Sequence, residues 1–425
     1  MSASPPPSFA EAFRFWLKLG FISFGGPAGQ IAIMHNELVE RRRWIDDNRF
    51  LHALNYCMLL PGPEATQLAT YIGWLMHRTW GGVVAGALFV LPSIFILWTL
   101  SYVYVKFGTV PWVASIFYGL KPAVLAIVAS AVIRIGKKAL KNEVMWTLAG
   151  LAFVSIFVFR VPFPLIILSA AALGFVGGRL WKEKFLVIQH GSAGQAAPLE
   201  HTRPSLARGI KVSIVCLVLW WAPVVLAAWW LGPDHTIVRE GLFFSKAALV
   251  TFGGAYAVLP YVSQQAVENH HWLSAPQMLD GLGLAETTPG PLIMVLEFVG
   301  FLGAWNHPGN LSPLLAATLG AVITVWTTFV PCFLWIFLGA PHIEQLHGNQ
   351  TLTTALSAVT AAVVGVILNL AIWFGMHALF FSEGVDWFGV ALASLVFAGL
   401  VKWNWDVVPV VLGSGILGLL YNTVL

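Results

Sequence analysis

Apolar residues along this chain come in runs too long and too pure for the half-buried helices of a globular domain. Residues 81–105, 212–231, 311–338 and 407–425 carry no charged side chain. Each is long enough to cross about 30 Å of hydrocarbon as a helix. The pattern predicts two broken apolar segments, 10–34 and 48–76, followed by cleaner helices over 80–106, 111–134, 144–160 and 162–181. A polar stretch rich in Gly, Ser, Ala and Pro, residues 182–208, reads as a linker. The helix 209–231 has no counterpart earlier in the chain. Segments then follow at 239–262, 275–304, 312–339, 350–380, 386–402 and 405–423. The expected fold is an all-α polytopic membrane protein. Its first repeat covers 1–181, its linker 182–208, a connecting transmembrane helix 209–231, and its second repeat 232–425.

Composition agrees. Only 10% of the 425 residues are charged and 58% are hydrophobic, whereas a soluble domain carries about 25% charge. The first nine residues lack a basic stretch followed by an apolar core, so no cleaved secretory signal is expected. Cys57, Cys216 and Cys332 are far apart in apolar runs and read as packing residues, with no metal or disulfide pattern. The basic residues do not form the exposed face that nucleic-acid binding needs.

The halves are related. At an offset of 228, Phe15 and Lys18 fall on Phe243 and Lys246, and Phe24-Gly25-Gly26 on Phe252-Gly253-Gly254. Glu40 falls on Glu268, Trp44 on Trp272, and Pro61-Gly62-Pro63 on Pro289-Gly290-Pro291, all without a gap. A looser echo pairs Tyr71-Ile72-Gly73 with Phe298-Val299-Gly300 and Leu91-Pro92 with Val330-Pro331. Such a match marks an internal duplication.

Charge sets the expected orientation. Of the 23 Lys and Arg, 20 lie at or before Lys211. Arg41-Arg42-Arg43, Arg78, the run 134–141 and the linker all fall on the cytoplasmic side if both broken segments are re-entrant hairpins. The unpaired helix 209–231 then carries the chain across, and the second half is inverted.

Gly-Gly and Pro-Gly-Pro disfavour a straight helix. At membrane depth such breaks are tolerated only inside protein or along a watery cavity. Half-helices meeting there aim free N–H groups and positive dipole ends at an anion, as at the broken helices of inverted-repeat carriers. The alternative is a set of kinks that let helices pack; the repetition of the breaks favours the functional reading. Candidate anion-binding positions are therefore Lys18, Gly25, Gly26, Pro61, Gly62, Pro63 and Gln67, with Lys246, Gly253, Gly254, Thr288, Pro289, Gly290 and Pro291 in the second half. Lys18 and Lys246 read equally well as snorkelling lysines. Glu64, Glu286 and the repeat-matched Glu40 and Glu268 are candidates for proton coupling, although Glu40 stands beside the arginine cluster and Glu64 suits a helix start. No catalytic cluster, metal set or cofactor motif is present in the sequence, and GxxxxGK[ST] is absent.

The run FRFWLKLGFISFGGPAGQIAIMHNELVERRRWIDDNRFLHALNYCMLLPGPEATQLATYIGWLMHRTWGG, residues 13–82, resembles the signature region of the chromate ion transporter family. FFSKAALVTFGGAYAVLPYVSQQAVENHHWL and AETTPGPLIMVLEFVGFLGAW resemble its partner region, and 361–374 is similar to the family's C-terminal domain. The resemblance spans nearly the whole chain outside the linker and matches the long, two-domain form. It implies a multi-pass protein of the bacterial cytoplasmic membrane that exports chromate, confers chromate resistance, draws on a membrane gradient and meets sulfate as a competitor. Carried over from the family are Gly25, Gly26, Pro61, Gly62, Pro63, Glu64, Gln67, Tyr71 and Gly73, with Gly253, Gly254, Pro289, Gly290 and Pro291. A passive anion channel, a carrier of sulfate or another oxyanion, and a membrane-embedded enzyme are the competing readings; a homodimer stays open.

Overall fold

The structure, a computed structural model, describes residues 7–24, 26–186, 205–342, 350–381 and 384–424. Gly25 and most of the linker lie outside the described residues. The chain is almost entirely helical. In order the helices are α1 Phe9–Ile22, α2 Gly26–His35, α3 Asp47–Cys57, α4 Glu64–Phe107, α5 Pro111–Ala139, α6 Glu143–Phe157, α7 Phe163–Leu180 and a short α8, Lys182–Phe185. They continue with α9 Leu206–Leu231, α10 Thr236–Val250, α11 Ala255–Ser263, α12 Ala275–Thr287, α13 Val295–Asn306, α14 Pro313–Gly339, α15 Gln350–Leu379, α16 Trp387–Lys402 and α17 Val407–Val424.

Local sequence sets these boundaries. Ser8 caps α1 in a reciprocal pair with Glu11, and Ser274 does the same for α12 with Gln277. Asp46, which stands 228 residues before Ser274, caps α3 by accepting a bond from the Arg49 N–H at 2.9 Å. Pro111 and Pro313 open α5 and α14, where a missing N–H costs nothing. His77 and Arg78 leave helical geometry inside α4, so its first limb ends there and a long crossing helix begins.

The order of elements recurs. α1, α2 and α3 are followed by a proline-glycine break and the first limb of α4, and α10, α11 and α12 by a break and α13. Each second limb leads into a long helix with an internal proline, Pro92 in α4 and Pro331 in α14. Even the π-helical turns coincide, Asn36–Arg41 with Gln264–Asn269. α9 and α8 stand outside this pattern.

Among the described residues, six helices are long and apolar enough to cross a membrane: α4, α5, α7, α9, α14 and α15. The half-helices are shorter. Ten residues of α2 reach about 15 Å, half of a hydrocarbon core. Helices meet through small residues, which is how backbones approach closely without a solvent-driven force. Gly73 lies against Gly81, Gly300 against Gly320, and Gly119 against Gly418. The outward faces are apolar. Trp229 is 85% exposed and Leu226 62%, as a lipid-facing surface on α9 requires.

The halves lock through their breaks. The Gly62 N–H donates to the Thr251 carbonyl at 2.7 Å, and the Gly290 N–H donates to the Ser23 carbonyl at 2.8 Å. These bonds are equivalents of each other, since Gly62 and Ser23 sit 228 residues before Gly290 and Thr251. Both glycines have positive φ, +124° and +105°. A Cβ on Gly62 would come within 3.0 Å of Cys332 Sγ, and one on Gly290 within 2.8 Å of Ser93 Cβ. Gly62→Ala and Gly290→Ala are each expected to destabilise the protein by about 1–3 kcal/mol, the usual cost of forcing such backbone conformations. Thermal unfolding in detergent checks this, with Gly413→Ala, which meets open space, as the neutral control.

Candidate functional site

Four breaks converge where the halves meet. Each places the end of one half-helix beside the start of the next: Gly26 opens α2, Ala255 opens α11, Glu64 opens α4, and Leu292 begins the turn that leads into α13. First-turn N–H groups at such starts lack helical partners and offer hydrogen bonds and positive dipole ends to an anion. Positive φ at Gly26, Gly253 and Gly254, +68°, +83° and +89°, lets the chain turn sharply with no side chain in the way.

Side chains at the breaks are polar and incompletely bonded. Gln30 Nε2 donates to the Gly290 carbonyl at 2.5 Å, and Gln67 Nε2 donates to the Pro61 carbonyl at 2.8 Å. Among the described residues, buried Ser23 Oγ, Gln30 Oε1, Thr66 Oγ1, Gln67 Oε1 and Ser93 Oγ have no hydrogen-bond partner. Buried polar atoms are rarely left so, and a group of them fits a polar occupant. The Glu64 carboxyl approaches the glycine turn of the other half: a Cβ on Gly254 would stand 3.9 Å from its Oε1. Glu286 accepts a 2.6 Å bond from the Tyr256 hydroxyl. The guanidinium of Arg134 lies 5.9 Å from the Tyr256 ring centre, within electrostatic reach of Glu286, and Lys138 is within reach of Glu64.

The sequence-derived candidates sort accordingly. Gly26, Pro61, Gly62, Pro63, Gln67, Gly253, Gly254, Pro289, Gly290, Pro291, Glu64 and Glu286 come together at the breaks. Thr288 is buried there, donating to the Leu284 carbonyl at 2.8 Å. Lys18 and Lys246 are exposed on α1 and α10, away from the buried stripe Ala12, Phe15, Trp16, Leu19 and Gly20. Glu40 is exposed and lies 3.5 Å from His35. The arginine cluster pairs instead with Glu37, at 2.5 Å from Arg41 and 3.4 Å from Arg42. Glu268 accepts from Trp373 Nε1 at 3.1 Å and lines a separate cavity of about 390 Å³ with Arg160, Ser263 and Asn369. Arg134 and Tyr256 were not singled out from sequence. Arg134 opens the basic run 134–141, and its place four residues before Lys138, on one helix face, was the available signal.

The hairpins of the two halves are seated unequally. α11 packs along α15 and α12 along α5, and every residue of α11 is buried. The equivalents α2 and α3 pack chiefly on α4 and find no comparable seat on α5 and α15. Of α2 only Gln30 and Met34 are buried, and Arg134 and Lys138 are exposed. The first-half hairpin is thus more exposed than its second-half counterpart.

A membrane-embedded helical protein with paired broken helices around a polar, cation-edged centre is a transporter by architecture. The chromate transporter family model matches residues 10–175 and 239–419, and the chain belongs to that family. The chromate transport protein of Pseudomonas aeruginosa is 32% identical over 433 residues, covering 97% of this chain and 92% of its own length. That of Cupriavidus metallidurans (strain ATCC 43123 / DSM 2839 / NBRC 102507 / CH34) is 29% identical over 420 residues, 98% of this chain and 94% of its own. An uncharacterised transporter of Methanocaldococcus jannaschii is 24% identical over 418 residues, 97% and 94%. No solved structure matches. The family is one of integral membrane transporters, and the chain is a multi-pass transporter rather than an enzyme.

Glu37 supplies a pH test outside the apolar spans. Burial pulls its carboxyl up, but the Arg41 and Arg42 guanidiniums outweigh that and hold it below the ordinary carboxylate range. A lowered folded-state value contributes stability above the unfolded-state pKa that is lost as pH falls through the folded one. Thermal stability of the wild type is therefore expected to drop between about pH 5 and the folded-state value, and Glu37→Gln to flatten that part of the profile.

Proposed function

We propose that this chain is a secondary carrier that moves chromate outward across the cytoplasmic membrane, binding the dianion at the four helix breaks. The observation that carries this reading is the reciprocal exchange of backbone bonds between the Pro-Gly-Pro loop of each half and the glycine turn of the other. It leaves helix starts and unpaired amide and hydroxyl groups gathered around one centre, with Arg134 and Lys138 at its edge. Chromate is a tetrahedral dianion and suits several converging N–H and O–H donors plus a cation better than any single strong ligand. The names of the relatives above support chromate as the cargo.

The unequal seating of the hairpins supports a carrier over a channel. With the positive-inside orientation, the more exposed hairpin α2–α3 lies on the cytoplasmic side, which supports reading the chain as inward-facing with its second half inverted relative to the first. Seating α2 and α3 against α5 and α15 while freeing α11 and α12 generates the outward-open state by exchanging the roles of the halves. A carrier of this kind never opens both sides at once.

Uptake of radiolabelled chromate into inside-out vesicles tests the proposal. Saturable uptake, competed by sulfate, is the expected result. Arg134→Gln is expected to weaken apparent affinity at least tenfold, about 1.4 kcal/mol, and Glu64→Gln to cut the maximal rate with smaller effect on affinity. A linear, unsaturable flux in well-folded protein would favour a channel, and no chromate binding at all would remove the substrate assignment.

A further inference from the structure

The second half contains buried carboxyls that the first half lacks. Glu240 on α10 is 0% exposed and Glu297 on α13 is 1% exposed. Neither oxygen of either carboxyl has a hydrogen-bond partner, and neither has Oγ1 of the fully buried Thr324 on α14. The Glu240 and Thr324 atoms lie against the glycines of the α13–α14 crossing, and Glu297 stands one turn before Gly300 on α13. A Cβ on Gly303 would come 2.5 Å from Glu240 Oε1, and one on Gly320 would come 2.7 Å from Glu240 Oε2. The Thr324 hydroxyl lies against Gly300. Gly320 and Thr324 are one turn apart on α14; Glu297, Gly300 and Gly303 succeed one another at one-turn intervals on α13. Along the helix axes Thr324 is therefore level with Gly300, between the level of Glu240 and that of Glu297.

The ladder also has direction. Glu297 follows Pro291 of the central break by six residues, about 9 Å along a helix. Glu240 lies in the second turn of α10, near the end of the half that faces away from the arginine cluster.

The surroundings are otherwise apolar. Trp272 lies with Glu240 against Gly303, and the His270 ring stacks on Trp272 with centroids 4.4 Å apart. α9 offers apolar side chains there, and α11 offers Tyr261, ring to ring with Phe243. Arg239, next to Glu240 in sequence, is exposed and paired with Asp234 at 3.1 Å. Around α13, Tyr104 donates to Asp280 at 2.9 Å, Lys121 stands 3.8 Å from Asp280, and Lys106 covers the Trp305 ring. Among the described residues no charged side chain acts on Glu240 or Glu297. An unpaired carboxylate is not tolerated in such a place, whereas the neutral acid is.

The first half has the same helix crossing without this chemistry. In the local registers that match Gly73 with Gly300 and Pro92 with Pro331, the equivalents of Glu297 and Thr324 are Thr70 and Ala85, and Glu240 corresponds to Ala12. The glycine turns and Pro-Gly-Pro loops are repeated; these acids are not.

We infer that Glu240, Thr324 and Glu297 form a proton path that joins the side opposite the arginine cluster to the central site and drives anion export by proton entry. The inference rests on the transporter reading above. Both acids are neutral at rest, and the Thr324 hydroxyl bonds to neither of them, so the transfer is bridged by water entering the crossing. Glu297 first releases its proton toward the central break; Glu240 then gives its proton, through water held at the Thr324 hydroxyl, to the Glu297 carboxylate. Glu240 is refilled from the outer side, so one proton enters for each one delivered.

The test uses the full-length protein in proteoliposomes, with a pH-sensitive dye inside and chromate as the probe. A chromate gradient is expected to drive opposite proton movement in wild type. Glu240→Gln and Glu297→Gln are each expected to reduce it at least tenfold, and Thr324→Val by less. All three should retain chromate binding and chromate–chromate exchange, which need no net proton transfer. Proton movement at the wild-type rate in both glutamine variants overturns the path. Chromate movement that follows a sodium gradient and ignores pH overturns the choice of ion. Chromate bound and transported without proton movement defeats this inference and leaves the function standing, while absence of chromate binding defeats the function itself. Infrared difference spectra provide a measurement independent of transport. A protonated-carboxyl band present in wild type and diminished in each glutamine variant is expected; an unchanged band in both overturns the assignment.

Discussion

A backbone that breaks inside hydrocarbon exposes N–H and C=O groups that lipid cannot satisfy, and each such group left alone costs free energy. In this transporter the remedy is reciprocal. The Gly62 N–H reaches the Thr251 carbonyl, and the Gly290 N–H reaches the Ser23 carbonyl, so the breaks of each half complete those of the other. The location of the site follows from this. A half-helix can end at membrane depth only where its partner break is waiting, so all four breaks have to meet. The glycines follow as well, because φ near +100° combined with Ser93 and Cys332 in contact leaves no room for a side chain. The hydroxyls that remain unbonded among the described residues after the exchange, on Ser23, Thr66 and Ser93, are donors an oxyanion could use.

This dependence explains which parts of the site were legible in the sequence. Glycine and proline in an apolar run are visible without a structure, and their recurrence at a fixed offset tied the four breaks together. Partnership across the halves was not visible, since nothing in one-dimensional spacing says that Gly62 meets Thr251 rather than its own glycine turn. Lys18 and Lys246 show the converse limit. Repetition established that they share a position, but helical phase decides where they point. Ala12, Phe15, Trp16, Leu19 and Gly20 define the buried stripe of α1, and Lys18 falls outside it. Arg134 was read as part of a cytoplasmic basic run. Only the packing of α12 along α5 brings the Tyr256–Glu286 pair up to it. Neither Glu297 nor Glu240 has an acid at the matching position of the first half. A solitary acid near a helix start has an ordinary electrostatic reading, and the glycines that admit its carboxyl come from two other helices.

The remaining step concerns why a duplicated protein is not symmetric. A perfectly two-fold molecule has equal free energy in its inward-open and outward-open forms, and a carrier gains nothing by being locked in either. Here the arrangement differs only in which hairpin is seated: α11 and α12 lie on α15 and α5, while α2 and α3 do not. The proposed alternation needs two states close in energy, between which a modest bias selects. That bias has to come from groups present in one half only. Apolar crossings such as Gly73 on Gly81 and Gly300 on Gly320 are common to both and cannot supply it. A carboxyl wedged between Gly303 and Gly320 can, because its charge state changes the cost of keeping that crossing dry. On the proposed mechanism the duplication would provide two nearly equal states, and the unrepeated acids the means of preferring one of them in response to a gradient.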